Sequence, residues 1–179
     1  MNAAMNVAKD VTWPDRLFDA FKRADIRQVG YVPDAGHARL IERCQSDPDI
    51  RAVPLTTEEE GIALAAGAWL GGERAALLMQ SSGVGNCINM LSLARTCRFP
   101  LPIFITMRGE WEEFNPWQEP MGSIVEPVMK LCEADVLRVT EPDEAERTAE
   151  RALQSAFGAE RIVAVLLSQQ LIGRKVWTK

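Results

Sequence analysis

Metal-binding residues are scarce in this sequence. One histidine, His37, stands among 179 residues, and the four cysteines, Cys44, Cys87, Cys97 and Cys132, lie far apart with no CxxC pair. That pattern argues against a Cys/His zinc site. Unpaired, widely spaced thiols fit a reducing, cytoplasmic setting. Basic tails and patches are also lacking, and the net charge is -5. Nucleic acid is therefore not expected as a partner. No apolar run approaches the roughly 20 residues of a membrane span. The opening stretch, MNAAMNVAKDVTWPD, has no signal-peptide apolar core. GxGxxG and P-loop phosphate motifs are absent. Without repeats, linkers or low-complexity segments, the length predicts one domain over 1–179.

What is present is a strand–helix alternation. Short apolar or β-rich runs predict strands over 28–32, 50–55, 75–79, 101–107, 136–139 and 162–167. The runs 75–79 and 101–107 are unbroken, as in strands covered on both faces. Between them, helices are predicted over 14–24, 37–44, 58–70, from the SSGVG turn to about 95, 121–133 and 142–157. Thr12 or Asp15 should start the first helix. Gly71-Gly72 should end the third. Thr140 should cap the last, with Pro142 in its first turn. Six strands alternating with helices imply an α/β fold, an open, mostly parallel six-stranded sheet with helices on both faces. Chemistry in such sheets lies at the carboxyl ends of the strands. Segments 56–60, 80–86 and 107–118 fall there.

The centre of the chain is LTTEEEGIALAAGAWLGGERAALLMQSSGVGNCIN. Glu58, Glu59 and Glu60 stand where a helix should begin. Solvated carboxylates in a first helical turn are common because they favour the helix dipole. Here the next turns, IALAAGA, offer no polar face, so at least one of the three must point inward. Burial raises a carboxyl's pKa, which suits proton exchange with a ligand nitrogen.

The loop Ser81-Ser82-Gly83-Val84-Gly85-Asn86 has two readings. One is an anion or cofactor cradle of backbone N–H groups; the other is a tight turn that needs glycine. Arg108 either clamps an anion or pairs with Glu110, Glu112 or Glu113. His37 is either a proton donor or a capping or exposed histidine. Trp111 and Trp117, in a polar loop, either meet another surface or cover the sheet end. Cys87 and Cys97 read as small packed hydrophobes.

The run TTEEEGIALAAGAWLGG–ERAALLMQSSGVGNCINMLSL, continued by LPIFITMRGE and by Gln118 and Met121-Gly122, resembles the pyrimidine-binding (PYR) domain of thiamine-diphosphate enzymes. It looks most like the sulfopyruvate and phosphonopyruvate decarboxylases, over roughly 30–167. The resemblance implies a thiamine-diphosphate-binding fold and a 2-oxoacid decarboxylase. In that family one glutamate shares a proton with N1′ of the cofactor's aminopyrimidine and so activates the carbon that attacks the substrate's keto group. It stands nine residues before the glycine of the small-residue helix, here Gly67, which implies Glu58, with Glu59 one residue away as runner-up. Gln80, Ser81, Ser82, Gly83 and Asn86 would line the cofactor and substrate side. Arg108, Gln118 and His37 would face the substrate.

The family's diphosphate half carries a GDG motif that, with a following asparagine, holds Mg2+. No GDG occurs here. The resemblance thus implies an alpha-type subunit, active only with a partner beta subunit that carries GDG, in a homodimer or larger hetero-oligomer. The loop EWEEFNPW adds negative charge after RGE, which would repel an anionic substrate near it. That charge points to a different 2-oxoacid or to a loop turned away. Two other classes stand beside this reading. One is a non-catalytic regulatory or scaffolding subunit that keeps the fold. The other is a stand-alone nucleotide-binding enzyme, which the missing phosphate motifs disfavour.

Overall fold

In a computed structural model, residues 12–173 are described. Most of the stretch read for a signal peptide lies outside them. The first helix, α1 (Trp13–Arg23), starts as its sequence asks: Asp15 accepts from the backbone N–H and the hydroxyl of Thr12. There follow β1 (Ile26–Tyr31), α2 (Ala38–Ser46), β2 (Arg51–Pro54), α3 (Glu60–Leu70), β3 (Arg74–Gln80) and α4 (Val84–Cys97). The second half adds β4 (Leu101–Thr106), α5 (Glu119–Leu131), β5 (Asp135–Val139), α6 (Ala145–Ala159), β6 (Ile162–Leu167) and the short α7 (Gln169–Ile172).

The six strands form one sheet in the order β2-β1-β3-β4-β6-β5, and every pairing is parallel. Side chains alternate across it as the two-residue period requires. Ala76 and Leu78 of β3 face a core built with α1, α2 and α6, whereas Ala75, Leu77 and Met79 face one built with α3, α4 and α5. The α/β class, six strands and two helical layers expected from the sequence are borne out.

Two boundaries differ for local reasons. Helix α3 begins at Glu60, not at Glu58, because the Glu60 carboxylate folds back to accept from the N–H groups of Thr56 and Thr57. That leaves Glu58 in the preceding turn. Thr140 does not cap the long helix: a 3-10 turn, Pro142–Glu144, intervenes, and α6 starts after Glu144. A proline at the first position of a turn sets φ for either geometry, so its presence alone does not fix the helix start.

No helix among the described residues is long and apolar enough to cross a membrane. The strand order reverses between β1 and β3. The loops leaving those two strands therefore diverge and open a crevice at the carboxyl edge.

Candidate functional site

The site begins with the glutamate triplet. Glu60 is exposed and caps its own helix, Glu59 is half-buried, and Glu58 is 8% exposed. Glu58 Oε2 accepts from Asn86 Nδ2 at 2.8 Å, and Oε1 has no hydrogen-bond partner among the described residues. The carboxylate lies where a side chain on residue 83 would be: a Cβ on Gly83 would come within 2.4 Å of it. Glycine in the SSGVG turn is thus required by close approach of Glu58. Beneath the pair, burial and the nearby Glu58 and Glu59 push the Cys87 thiol up to about 12. It is a packed neutral group, as expected.

From Gly83 the site runs along the end of β3. Gln80 donates to Asp34 at 3.3 Å and accepts from the Ser82 hydroxyl at 3.0 Å. Asp34 also accepts from Thr106 at 2.6 Å and from the Gly36 N–H at 3.2 Å. Its carboxylate therefore ties the ends of β1, β3 and β4 together at the crevice. Ser81 is fully buried, and its hydroxyl accepts from the Arg108 N–H at 3.2 Å. It holds the framework instead of lining an open surface.

Two expectations about the substrate side change. His37 is fully buried and donates Nε2–H to the Phe104 carbonyl at 3.0 Å. Burial lowers its pKa, so the ring is neutral, and it presents no surface to a substrate. Arg108 takes the paired alternative. It donates through Nε and Nη2 to both oxygens of Glu113, the first at 2.6 Å. The Arg108 guanidinium, with backbone N–H groups and Gln169, holds the Glu113 carboxyl down at about 2. Two of the loop's carboxylates are thus neutralised in place, Glu113 by Arg108 and Glu110 by Arg138 at 2.7 Å. Gln118 is half-buried, and its Oε1 is buried without a hydrogen-bond partner among the described residues.

Asp34 and Gln169 were not singled out from the sequence, and Glu113 only as one of three possible partners of Arg108. Gln169, at the start of α7, is 3% exposed; it accepts from the N–H groups of Glu110 and Trp111 and donates to Glu113. The one available signal was position, since Asp34 and Gln169 each follow a strand's carboxyl end by a few residues. Taken together, the structure gathers Glu58, Gly83 and Asn86 at one end of the crevice and Gln80, Ser82 and Asp34 in its middle. Arg108 and Gln118 stand toward the far end.

No family model matches the chain. It is 34% identical over 151 residues to the sulfopyruvate decarboxylase subunit alpha of Methanocaldococcus jannaschii, covering 84% of this chain and 89% of that one. The Methanococcus maripaludis subunit of the same name is 35% identical over 154 residues, 86% and 92% of the two chains. A phosphonopyruvate decarboxylase of Streptomyces viridochromogenes is 35% identical over 134 residues, which is 74% of this chain but 34% of that protein. Among solved structures, a 2-oxoglutarate:ferredoxin oxidoreductase from Magnetococcus marinus superposes with a TM-score of 0.70. At 14% identity, over 90% of this chain and 29% of that one, it shows a shared fold.

Proposed function

The chain belongs to the family of sulfopyruvate decarboxylase alpha subunits, and on that premise we propose that it is the alpha subunit of a thiamine-diphosphate-dependent 2-oxoacid decarboxylase. The whole chain is then one PYR-type domain. The observation that carries this reading is Glu58. It is the one buried carboxylate of the triplet, with one oxygen fixed by Asn86 and the other unpaired beside a glycine.

These residues fit the aminopyrimidine end of thiamine diphosphate. The cofactor, when bound, supplies a nucleophilic ring carbon and accepts the electrons released as carbon dioxide leaves. Glu58 would hold the proton shared with the pyrimidine N1′. Asn86 orients Glu58, and Gly83 leaves the approach open. Gln80 and Ser82 line the adjoining crevice. Gln118 and Arg108 stand on the side where the anionic end of a small 2-oxoacid, such as sulfopyruvate or phosphonopyruvate, would be held.

The diphosphate and its Mg2+ fall to a partner beta subunit with a GDG motif. An apolar surface beside the site supports that partner. Helix α3 turns Ala63, Gly67 and Leu70 outward, and α4 exposes Ile88 and Leu93. Exposed apolar side chains on these two helices support an interaction site there. The four unpaired thiols support a cytoplasmic setting.

The test is co-expression with the GDG-bearing subunit and assay of carbon dioxide release from a panel of 2-oxoacids with thiamine diphosphate and Mg2+. Turnover that needs both subunits and is lost in Glu58→Gln is expected. A complex that forms without turnover on any substrate would favour the non-catalytic subunit.

A further inference from the structure

The far end of the crevice carries a feature that proton exchange at Glu58 does not use. Five N–H donors converge on the Glu113 carboxylate: Arg108 Nε and Nη2, Gln169 Nε2, and the backbone N–H groups of Gly109 and Asn115. The side chains of Arg108 and Glu113 are 9% and 3% exposed. A guanidinium fork, a carboxamide and backbone N–H groups around one point make a receptor for an oxyanion.

The occupant is attached differently from its receptor. Arg108 and Gln169 stand on the sheet edge, at the ends of β4 and β6. Glu113 sits on a loop with no regular structure from Gly109 until the 3-10 turn Pro116–Gln118. Gly109, at φ +76°, lets the chain turn sharply where that loop departs. An open surface groove of about 580 Å3 lies between the loop and the start of α5. A cavity of about 150 Å3 reaches Arg108 and Gln169 from the side of Asp34 and Thr106. It holds the volume of about five waters, enough for a small acid. Asp34 on its wall restricts the ligand to one whose negative charge lies toward Arg108. A buried guanidinium left without an anion is strongly unfavourable, so the fork is filled at all times.

We infer that the Arg108–Gly109–Gln169 corner is a binding site for a small oxyanion (sulfonate, phosphonate or carboxylate) and that Glu113 is an internal competitor that closes it. An incoming anion takes the fork and the Gln169 amide, and Glu113 leaves with its loop into water. Glu113 then sets the threshold that an anionic ligand must exceed. Identifying that anion with the substrate's own anionic end rests on the decarboxylase reading; the site itself does not.

The experiment uses the intact chain and needs no turnover. Methanesulfonate, phosphate and acetate are each titrated against chloride at matched ionic strength. Tryptophan fluorescence follows Trp111 and Trp117, and a glutamate-specific protease reports exposure of Glu110, Glu112 and Glu113. A saturable fluorescence change with faster cleavage is expected for at least one oxyanion and not for chloride. Glu113→Gln removes the competitor's charge, about one charge-assisted bond, and should lower the half-saturating concentration about tenfold. The double variant Arg108→Gln with Glu113→Gln leaves no buried charge unpaired and should lose the response. An equal response to chloride, a flat response in both the wild type and a folded Glu113→Gln, or a retained response in the double variant overturns the inference. Decarboxylation with the partner subunit reads the other proposal, and either result stands without the other.

Discussion

Glu58 and Asn86, 28 residues apart in sequence, meet through one 2.8 Å hydrogen bond across the turn that joins β3 to α4. The bond fixes one carboxylate oxygen and leaves the other toward Gly83, so the pair works as a carboxylate on a mount. Glu58→Gln keeps the shape and, on the proposed function, removes the proton acceptor. General acid–base groups contribute about 100-fold to 10,000-fold. Decarboxylation by the assembled enzyme should fall by at least about 100-fold, with unfolding unchanged. Glu59→Gln, half-buried and off this mount, should leave the rate within about twofold. A loss confined to Glu59→Gln would transfer the role by one residue.

Gly83→Ala tests the close approach. The added Cβ would lie 2.4 Å from the Glu58 carboxylate, a clash that only movement of Glu58 or of the turn relieves. Overpacking of this kind costs about 1–3 kcal/mol, roughly 2–10 °C in melting temperature for a chain of this size. Activity should fall as far as in Glu58→Gln, since the displaced carboxylate loses its Asn86 bond. A variant with full activity and unchanged melting would mean that residue 83 does not limit where Glu58 sits.

Much of the fold was legible because strands buried on both faces leave apolar runs that little else produces. The runs 75–79, 101–107 and 162–167 are strands β3, β4 and β6. The inward glutamate was legible as a triplet from which the resemblance implied Glu58, and Glu58 is the one the fold buries, after Glu60 is drawn off to cap α3. His37 was misread because a histidine after glycine at a strand–helix junction looks exposed. The 3-10 turn tucks its ring under β4, where a carbonyl 67 residues away receives its N–H. Glu113 was legible only as one of three possible partners of Arg108, and Gln169 was not legible at all. They lie 56 residues apart, and no local periodicity encodes a bond between a loop and the start of α7.

Asp15 predicts an acid limb. Burial works to raise its carboxyl, but hydrogen bonds from Thr12 and Arg43 and the charge of Arg39 outweigh that and hold it at about 2 instead of 3.8. A pKa depressed in the folded state adds stability above the unfolded value, and that stability is lost as pH falls from about 4 to about 2. The shift corresponds to roughly 2 kcal/mol. Urea unfolding should therefore find Asp15→Asn less stable by about that amount at pH 7, with the difference closing toward pH 2. A gap as wide at pH 2 as at pH 7 would assign the effect to packing.

The thiols should separate by burial. Cys44 and Cys87 are 0% and 1% exposed, and burial, with nearby carboxylates, raises each to about 12. Cys97, read from the sequence as a packed group like Cys87, is instead exposed, because it falls at the end of α4. A thiol reagent at pH 8 should label Cys97 quickly and Cys44 and Cys87 only after unfolding. Cys97→Ser should remove the fast phase, read by intact mass. Fast labelling of Cys87 in the folded chain would mean that the layer beneath Glu58 opens readily.

Leu70 is 88% exposed at the end of α3, in line with Ala63 and Gly67 and on the same sheet face as Ile88 and Leu93 of α4. A leucine so exposed contributes nothing to this chain's own core, so Leu70→Asp should fold and melt as the wild type does. In a complex the same position would bury an apolar side chain worth about 1.5–3 kcal/mol, and aspartate would add a desolvation penalty. Affinity for the proposed partner subunit, measured by calorimetry, should drop by about tenfold to a hundredfold or more. If it does not change, the partner docks elsewhere. The apolar α3–α4 face would then be left to a second copy of this chain, and Leu70→Asp should instead shift the isolated subunit from dimer to monomer in sedimentation.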